Sequence, residues 1–224
     1  MLREYRLHDI DSRLHRMGAR PLDVMLIGGT GTGKSTTLNA IFQTDTAKVG
    51  HSFAPETMNV SDHMLNDIFR LWDTPGLGDG FDNDKSHVRK ITELLHKPYG
   101  KYNEYGIIDL ALVVVDASTR DLGTVYSLIA DVLLPNINAD RILTVINQCD
   151  MAMSGRHWDF YSNTPDSALK AFLDEQAESI RRRIRETTGV NIILPVYYSA
   201  EYGYNIEKVL DLIIDHIPKE CRKL

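Results

Sequence analysis

The chain has 224 residues, 43% of them hydrophobic, and a formal net charge of -6. That length suits one core rather than two full domains, and the negative field repels phosphate backbones unless a local basic patch overrides it. Only two cysteines are present, Cys149 and Cys221, without histidines at metal-ligand spacing beside them, which argues against a disulfide framework and a zinc site.

The expected elements follow in chain order. Leu7, Ile10, Leu14 and Met17 repeat at helical steps and predict an N-terminal helical extension over residues 1–20, docked on this domain or on a partner. From 21 to 224, short apolar runs alternate with longer segments of helical period, which predicts one α/β domain. Strands are expected at Asp23–Ile27, Ile68–Trp72, Leu110–Val115, Ile142–Ile146 and Ile193–Tyr197, with a weaker one at Met58–Met64. Helices are expected at Lys34–Phe42, Lys85–His96, Leu122–Leu133, Ser167–Glu186 and Ile206–Ile217. The architecture this implies is a three-layer α/β sandwich, a mostly parallel six-stranded sheet with helices on both faces. Met151–Pro165 reads as an irregular surface connection. No apolar run reaches the roughly 18 residues of a membrane span, and the N-terminus carries no signal segment, so no transmembrane segment and a cytoplasmic location are expected.

The strongest motif is Gly28-Gly29-Thr30-Gly31-Thr32-Gly33-Lys34-Ser35, lying between a strand and a helix, with Thr36 next in that helix. Glycines let successive backbone N–H groups turn toward phosphate oxygens, and the helix adds its positive end. Lys34 supplies a cation for the β- and γ-phosphates, and the Ser35 hydroxyl suits Mg2+. Asp73-Thr74-Pro75-Gly76 follows the second confident strand. Asp73 can hold magnesium through water, and the Gly76 N–H can approach the γ-phosphate. A second sensing segment is expected between Phe42 and Met58, where Thr57 is the best placed hydroxyl for magnesium and Thr44 and Thr46 compete with it. Lys34, Thr57 and Gly76 are thus the candidate catalytic groups.

Base selection is expected from Asn147-Gln148-Cys149-Asp150 and from Ser199-Ala200, both after strands. Asp150 can accept from guanine N1–H and the exocyclic amine together, a pairing adenine cannot offer. Asn147 would tie this loop to the phosphate loop, Ser199 would brace Asp150, and the Ala200 N–H would face guanine O6.

The order of these motifs resembles the Era-like P-loop GTPases of the TRAFAC class, the bacterial group described as 50S ribosome-binding GTPases, over roughly Leu22 to Pro218. The stretch from Asp73 through Gly80 and the pair Asp116-Ala117 also resemble that group. The resemblance implies a P-loop NTPase three-layer sandwich with residues 21–224 as a GTP-binding G domain, GTP/GDP binding, magnesium dependence, GTP hydrolysis and a ribosome or RNA partner. Four departures qualify it. Gln148 stands where the family has lysine, and Leu77 stands where many regulatory relatives place a water-orienting glutamine. Gly31 replaces the asparagine of potassium-stimulated relatives, while Thr30 narrows the approach for an arginine finger. Arg120, Lys85 and His87 are near enough in sequence to be fingers, with solvated surface roles expected for each. The reading is therefore a GTP-dependent switch with slow turnover that a protein effector or nucleotide-dependent dimerisation would raise. The alternative is a nucleotide-binding interaction module with negligible turnover; an ATPase or kinase would require Asp150 and Ser199 to match by accident.

Overall fold

The computed structural model describes residues 2–18, 20–43, 60–78, 80–100, 102–119 and 122–224. Helix α1 (Leu7–Met17) precedes strand β1 (Leu22–Gly28) and helix α2 (Lys34–Phe42). A hairpin follows, β2 (Ser61–Asn66) and β3 (Phe69–Asp73), and then α3 (Phe81–Leu95). Strands β4 (Pro98–Tyr99), β5 (Tyr102–Gly106) and β6 (Leu110–Asp116) lead to α4 (Gly123–Ser127). The remainder is β7 (Ile142–Asn147), β8 (Trp158–Asp159), β9 (Thr164–Pro165), α5 (Ser167–Thr188), β10 (Val196–Tyr197) and α6 (Ile206–Asp215).

The central sheet has six strands in the order β10-β7-β6-β1-β3-β2. All neighbours are parallel except β2, which runs antiparallel to β3. Two residues separate β2 from β3, too few for a crossover, so the chain can only reverse. The Asn66 side chain closes that turn by accepting from the Ile68 N–H at 3.0 Å.

Strand periodicity sorts the core. Leu22, Val24 and Leu26 of β1 pack with Ile10, Leu14 and Met17 of α1, Leu38 and Ile41 of α2, and Val209 and Ile213 of α6. Met25 and Ile27 of the same strand face the other side, with Ile91 of α3, Leu128 and Ile129, and Leu169 and Leu173 of α5. Side chains alternate across a strand, so one strand feeds both layers. Every parallel strand therefore ends at the same edge, where the motif loops emerge.

Several expectations shift. The N-terminal helix docks on this domain: Arg6 donates to Asp211 and Asp215, both at 2.8 Å, while Ile10, Leu14 and Met17 are buried. The weak strand moves to Ser61–Asn66, and the part of the expectation at Met58 lies outside the described residues. The strand expected from Ile193 shortens to Val196–Tyr197, since Ile193 and Leu194 are exposed beyond the ladder. Helix α3 begins at Phe81, four residues before the expected start at Lys85. The single helix expected over Leu122–Leu133 changes its hydrogen-bond step, becoming a π-helix at Leu128–Leu133, where the Leu134 N–H reaches the Ile129 carbonyl. Two small hairpins, β4 with β5 and β8 with β9, fall in segments whose apolar pattern carries no strand signal. No helix among the described residues is long and apolar enough to cross a membrane.

Candidate nucleotide site

At the end of β1 the backbone turns through Gly31 and Gly33, at φ 78° and 84°, before entering α2. These left-handed angles are cheap only for glycine. At Gly33 space is also restricted, because a Cβ there would lie 2.2 Å from Asn147 Nδ2. The Lys34 ammonium lies along the loop and donates to the Gly28 and Gly29 carbonyls at 3.2 and 2.9 Å. The start of α2 is tied to the far end of the sheet, with the Thr37 and Tyr198 hydroxyls 2.6 Å apart.

Beside the cradle, Ser35 Oγ donates to Asp73 Oδ2 at 2.7 Å. Burial pushes the Asp73 carboxyl above its ordinary value, while the Ser35 bond and the Lys34 charge pull it down. Its other oxygen, Oδ1, is buried without a hydrogen-bond partner among the described residues. A buried carboxylate oxygen left bare is costly unless a ligand satisfies it. Ser35 and Asp73 are hard oxygen donors next to a phosphate cradle, a donor set that fits Mg2+. Thr57, Thr44 and Thr46 lie outside the described residues, so the geometry does not reach that part of the metal expectation.

The loop after β3 is fastened to the cradle by its backbone. The Thr30 N–H donates to the Leu77 carbonyl at 2.8 Å, and the Leu77 N–H donates to the Gly28 carbonyl at 3.3 Å. Gly76 is held so closely that a Cβ would lie 2.4 Å from Thr30 Oγ1 and 2.7 Å from its Cα. Leu77 is buried in the apolar layer under α3 rather than turned outward. This loop is also gripped from α3: Asp84 accepts from the Gly78 N–H at 2.8 Å, and His87 Nδ1 sits 2.6 Å from the Gly76 carbonyl. The surface role expected of His87 is therefore corrected, because its side chain is only 2% exposed. It occupies the place of an apolar residue in the stripe that continues through Ile91, Leu94 and Leu95, a spacing that could have signalled burial. Arg120 and Asp79 lie outside the described residues.

The base-reading loop is clipped to the phosphate loop at two successive residues. Asn147 Nδ2 donates to the Thr32 carbonyl at 3.0 Å, and Gln148 Nε2 donates to the Gly31 carbonyl at 2.7 Å. The neutral amide of Gln148 thus makes a tether to the cradle without the charge of a lysine, and the residue adopts φ 60° to do so. Asp150 is buried, and its Oδ1 has no partner among the described residues. The Ser199-Ala200 expectations differ in detail. Ser199 Oγ accepts from the Tyr202 N–H at 3.3 Å instead of bracing Asp150, and the Ala200 N–H donates to Asn147 Oδ1 at 3.0 Å. The asparagine amide is the stronger local acceptor, so Asn147 joins three loops at once.

Four loops at the strand ends, a glycine-lined cradle and two bare carboxylate oxygens define a P-loop nucleotide-binding protein. The sequence model of the 50S ribosome-binding GTPase family matches residues 23–149. The chain belongs to that family, whose members are P-loop GTPases using GTP or GDP with Mg2+. It is 28% identical over 188 residues to Translocase of chloroplast 132 from Arabidopsis thaliana, a match covering 79% of this chain and 15% of that protein. It is 30% identical over 147 residues to the tRNA modification GTPase MnmE of Chlorobium chlorochromatii, covering 63% and 28%. The chain thus spans less than a third of the length of either curated relative. Among solved structures, one of the chloroplast translocon components atToc33 and psToc159 superposes with a TM-score of 0.71 at 17% identity. It covers 99% of this chain and 92% of that one, and dimerization is important for the GTPase activity of those components.

Proposed function

We propose that the chain binds GTP across this edge of the sheet, hydrolyses it slowly and uses the presence of the γ-phosphate as a switch. The observation that carries the reading is the pair of buried oxygens without a partner among the described residues, Asp73 Oδ1 and Asp150 Oδ1, at strand ends on either side of the Gly28–Ser35 cradle. In this reading Asp150 accepts from guanine N1–H and the exocyclic amine, while Asn147 and Gln148 hold its loop against the cradle. Gly28, Thr30, Gly31, Thr32, Gly33, Lys34, Ser35 and Thr36 surround the phosphates, and Ala200, bonded to Asn147, closes the base end with Ser199 beside it. Ser35 and Asp73, with Thr57, would hold Mg2+, which when bound neutralises phosphate charge and orients the terminal group.

The residues of the chain then supply position and charge. Lys34 stabilises the charge that develops on the transferring phosphoryl group, and the Gly76 N–H reads its presence. Leu77 is buried and offers no polar group to orient an attacking water, which is why turnover by the isolated chain is slow. A second copy of the chain supplying charge across the nucleotide is consistent with the dimerisation described for the Toc33 and Toc159 components. A ribosomal, RNA or effector-protein partner and a cytoplasmic location belong to the same proposal, resting on the family alone.

The test is calorimetric titration with GTP, GDP and ATP in Mg2+, followed by single-turnover phosphate release at rising protein concentration. Guanine-selective binding with phosphate release that accelerates with concentration is expected. GTP that stays intact for hours at every concentration would instead favour a nucleotide-binding interaction module, a reading that the burial of Leu77 also permits. Equal competition by ATP would overturn the assignment of Asp150.

A further inference from the structure

We propose that His87 is a positioning residue for γ-phosphate recognition, an inference that rests on the nucleotide reading above. A carbonyl oxygen can only accept, so the 2.6 Å contact fixes His87 Nδ1 as the donor to Gly76 O. That N–H is present in both the neutral Nδ1 tautomer and the imidazolium, so the contact does not depend on protonation state.

The placement of this bond gives it its effect. Ordering a glycine such as Gly76 costs more conformational entropy than ordering any other residue. Its own N–H is the group expected to meet the terminal phosphate. The peptide that leaves Gly76 is held at both ends, the carbonyl by His87 and the Leu77 N–H by Gly28 O at 3.3 Å. Thr30 blocks the remaining side, where a Cβ on Gly76 would come within 2.7 Å of Thr30 Cα. The glycine is thereby held between the cradle and α3 before nucleotide arrives.

Helix α3 contributes a second anchor one turn earlier, Asp84 to the Gly78 N–H at 2.8 Å. That bond is exposed, whereas the His87 side chain is 2% exposed and lies in the stripe of Ile91, Leu94 and Leu95. A polar ring in an apolar stripe costs free energy unless its bond is kept. Any movement of the Gly76 carbonyl on gain or loss of the γ-phosphate therefore either drags α3 or leaves a buried donor unpaired. His87 couples the phosphate-sensing peptide to the helix behind it.

The experiment compares the affinity of the full chain for GDP and for a non-hydrolysable GTP analogue, with Mg2+, in His87→Leu and His87→Asn. Leucine keeps the bulk and removes the donor; the asparagine amide places an N–H where Nδ1 stood. The loss of one buried hydrogen bond predicts an analogue affinity lowered about tenfold in His87→Leu. GDP affinity should stay within about twofold, because GDP does not reach Gly76, and His87→Asn should recover most of the selectivity. Equal losses for both nucleotides, an unchanged ratio, or an asparagine variant no better than leucine would each overturn the inference. If the leucine variant does not fold, His87→Gln replaces it, since its amide N–H is displaced toward the Nε2 position; selectivity equal to His87→Asn then overturns the inference. Failure of the unaltered chain to bind GDP would sink the nucleotide reading itself, whereas normal GDP binding with unchanged selectivity sinks only the role of His87.

Discussion

The two edges of the central sheet both bury carboxylates but treat them differently. At the edge where the parallel strands begin, Asp23 Oδ1 accepts from Arg70 Nε at 2.5 Å and Trp72 Nε1 at 2.6 Å, and its Oδ2 from Arg70 Nη2 at 3.1 Å. Asp109 at the same edge is bonded to Arg20 Nη2 and to the Asp23 N–H. At the edge where those strands end, Asp73 and Asp150 each keep one oxygen bare. Burying a carboxylate is expensive, so a fold that needs it only for support saturates it with internal partners. Beside a phosphate cradle, a bare carboxylate oxygen is open to a ligand that can satisfy it.

The comparison breaks most visibly at the supporting edge. Asp109→Ala leaves the Arg20 guanidinium buried without its carboxylate and is expected to cost about 3–5 kcal/mol of stability in denaturant unfolding. Nucleotide selectivity in the fraction that remains folded should be unchanged. At the ligand edge, Asp150→Asn should do the reverse: near-normal unfolding, with GTP affinity lowered by about 2–3 kcal/mol and xanthine nucleotide affinity raised. Unaltered base preference in that variant, measured by competition titration, would move the base site elsewhere.

A smaller effect sharpens the role of the tether. Gln148→Lys restores a long aliphatic stem beside the base and should tighten GTP about threefold to tenfold in calorimetry. No gain would mean that the amide bond to Gly31 O already does what the lysine would.

The smallest effect is chemical. Burial pushes the Cys149 thiol up to about 12, with the Asp150 charge adding to it. It should resist alkylation at pH 8 in the folded chain, while the half-buried Cys221 at the opposite edge is modified first, as read by peptide mass mapping. Rapid labelling of Cys149 would show that the Asp150 loop opens without ligand.

The sequence alone determined the alternation of strands and helices, the glycine cradle, and the placing of Asp73, Asn147 and Asp150 at or just past strand ends. The reason is local: buried strands, amphipathic helices and a phosphate-wrapping turn each require particular residue types at short spacing. Helix α2 is identical in sequence expectation and structure because glycine starts it and its whole length follows one pattern. Ile193 and Leu194 mislead for the opposite reason, since an apolar dipeptide does not say whether a neighbouring strand is present to pair with it. Only the tertiary structure decided that His87 reaches Gly76, that Gln148 reaches Gly31, that the N-terminal helix packs on this domain, and that Asp23 and Asp109 are supports while Asp73 and Asp150 are not. Those distinctions depend on which distant group satisfies a buried polar atom, and no spacing along the chain records that.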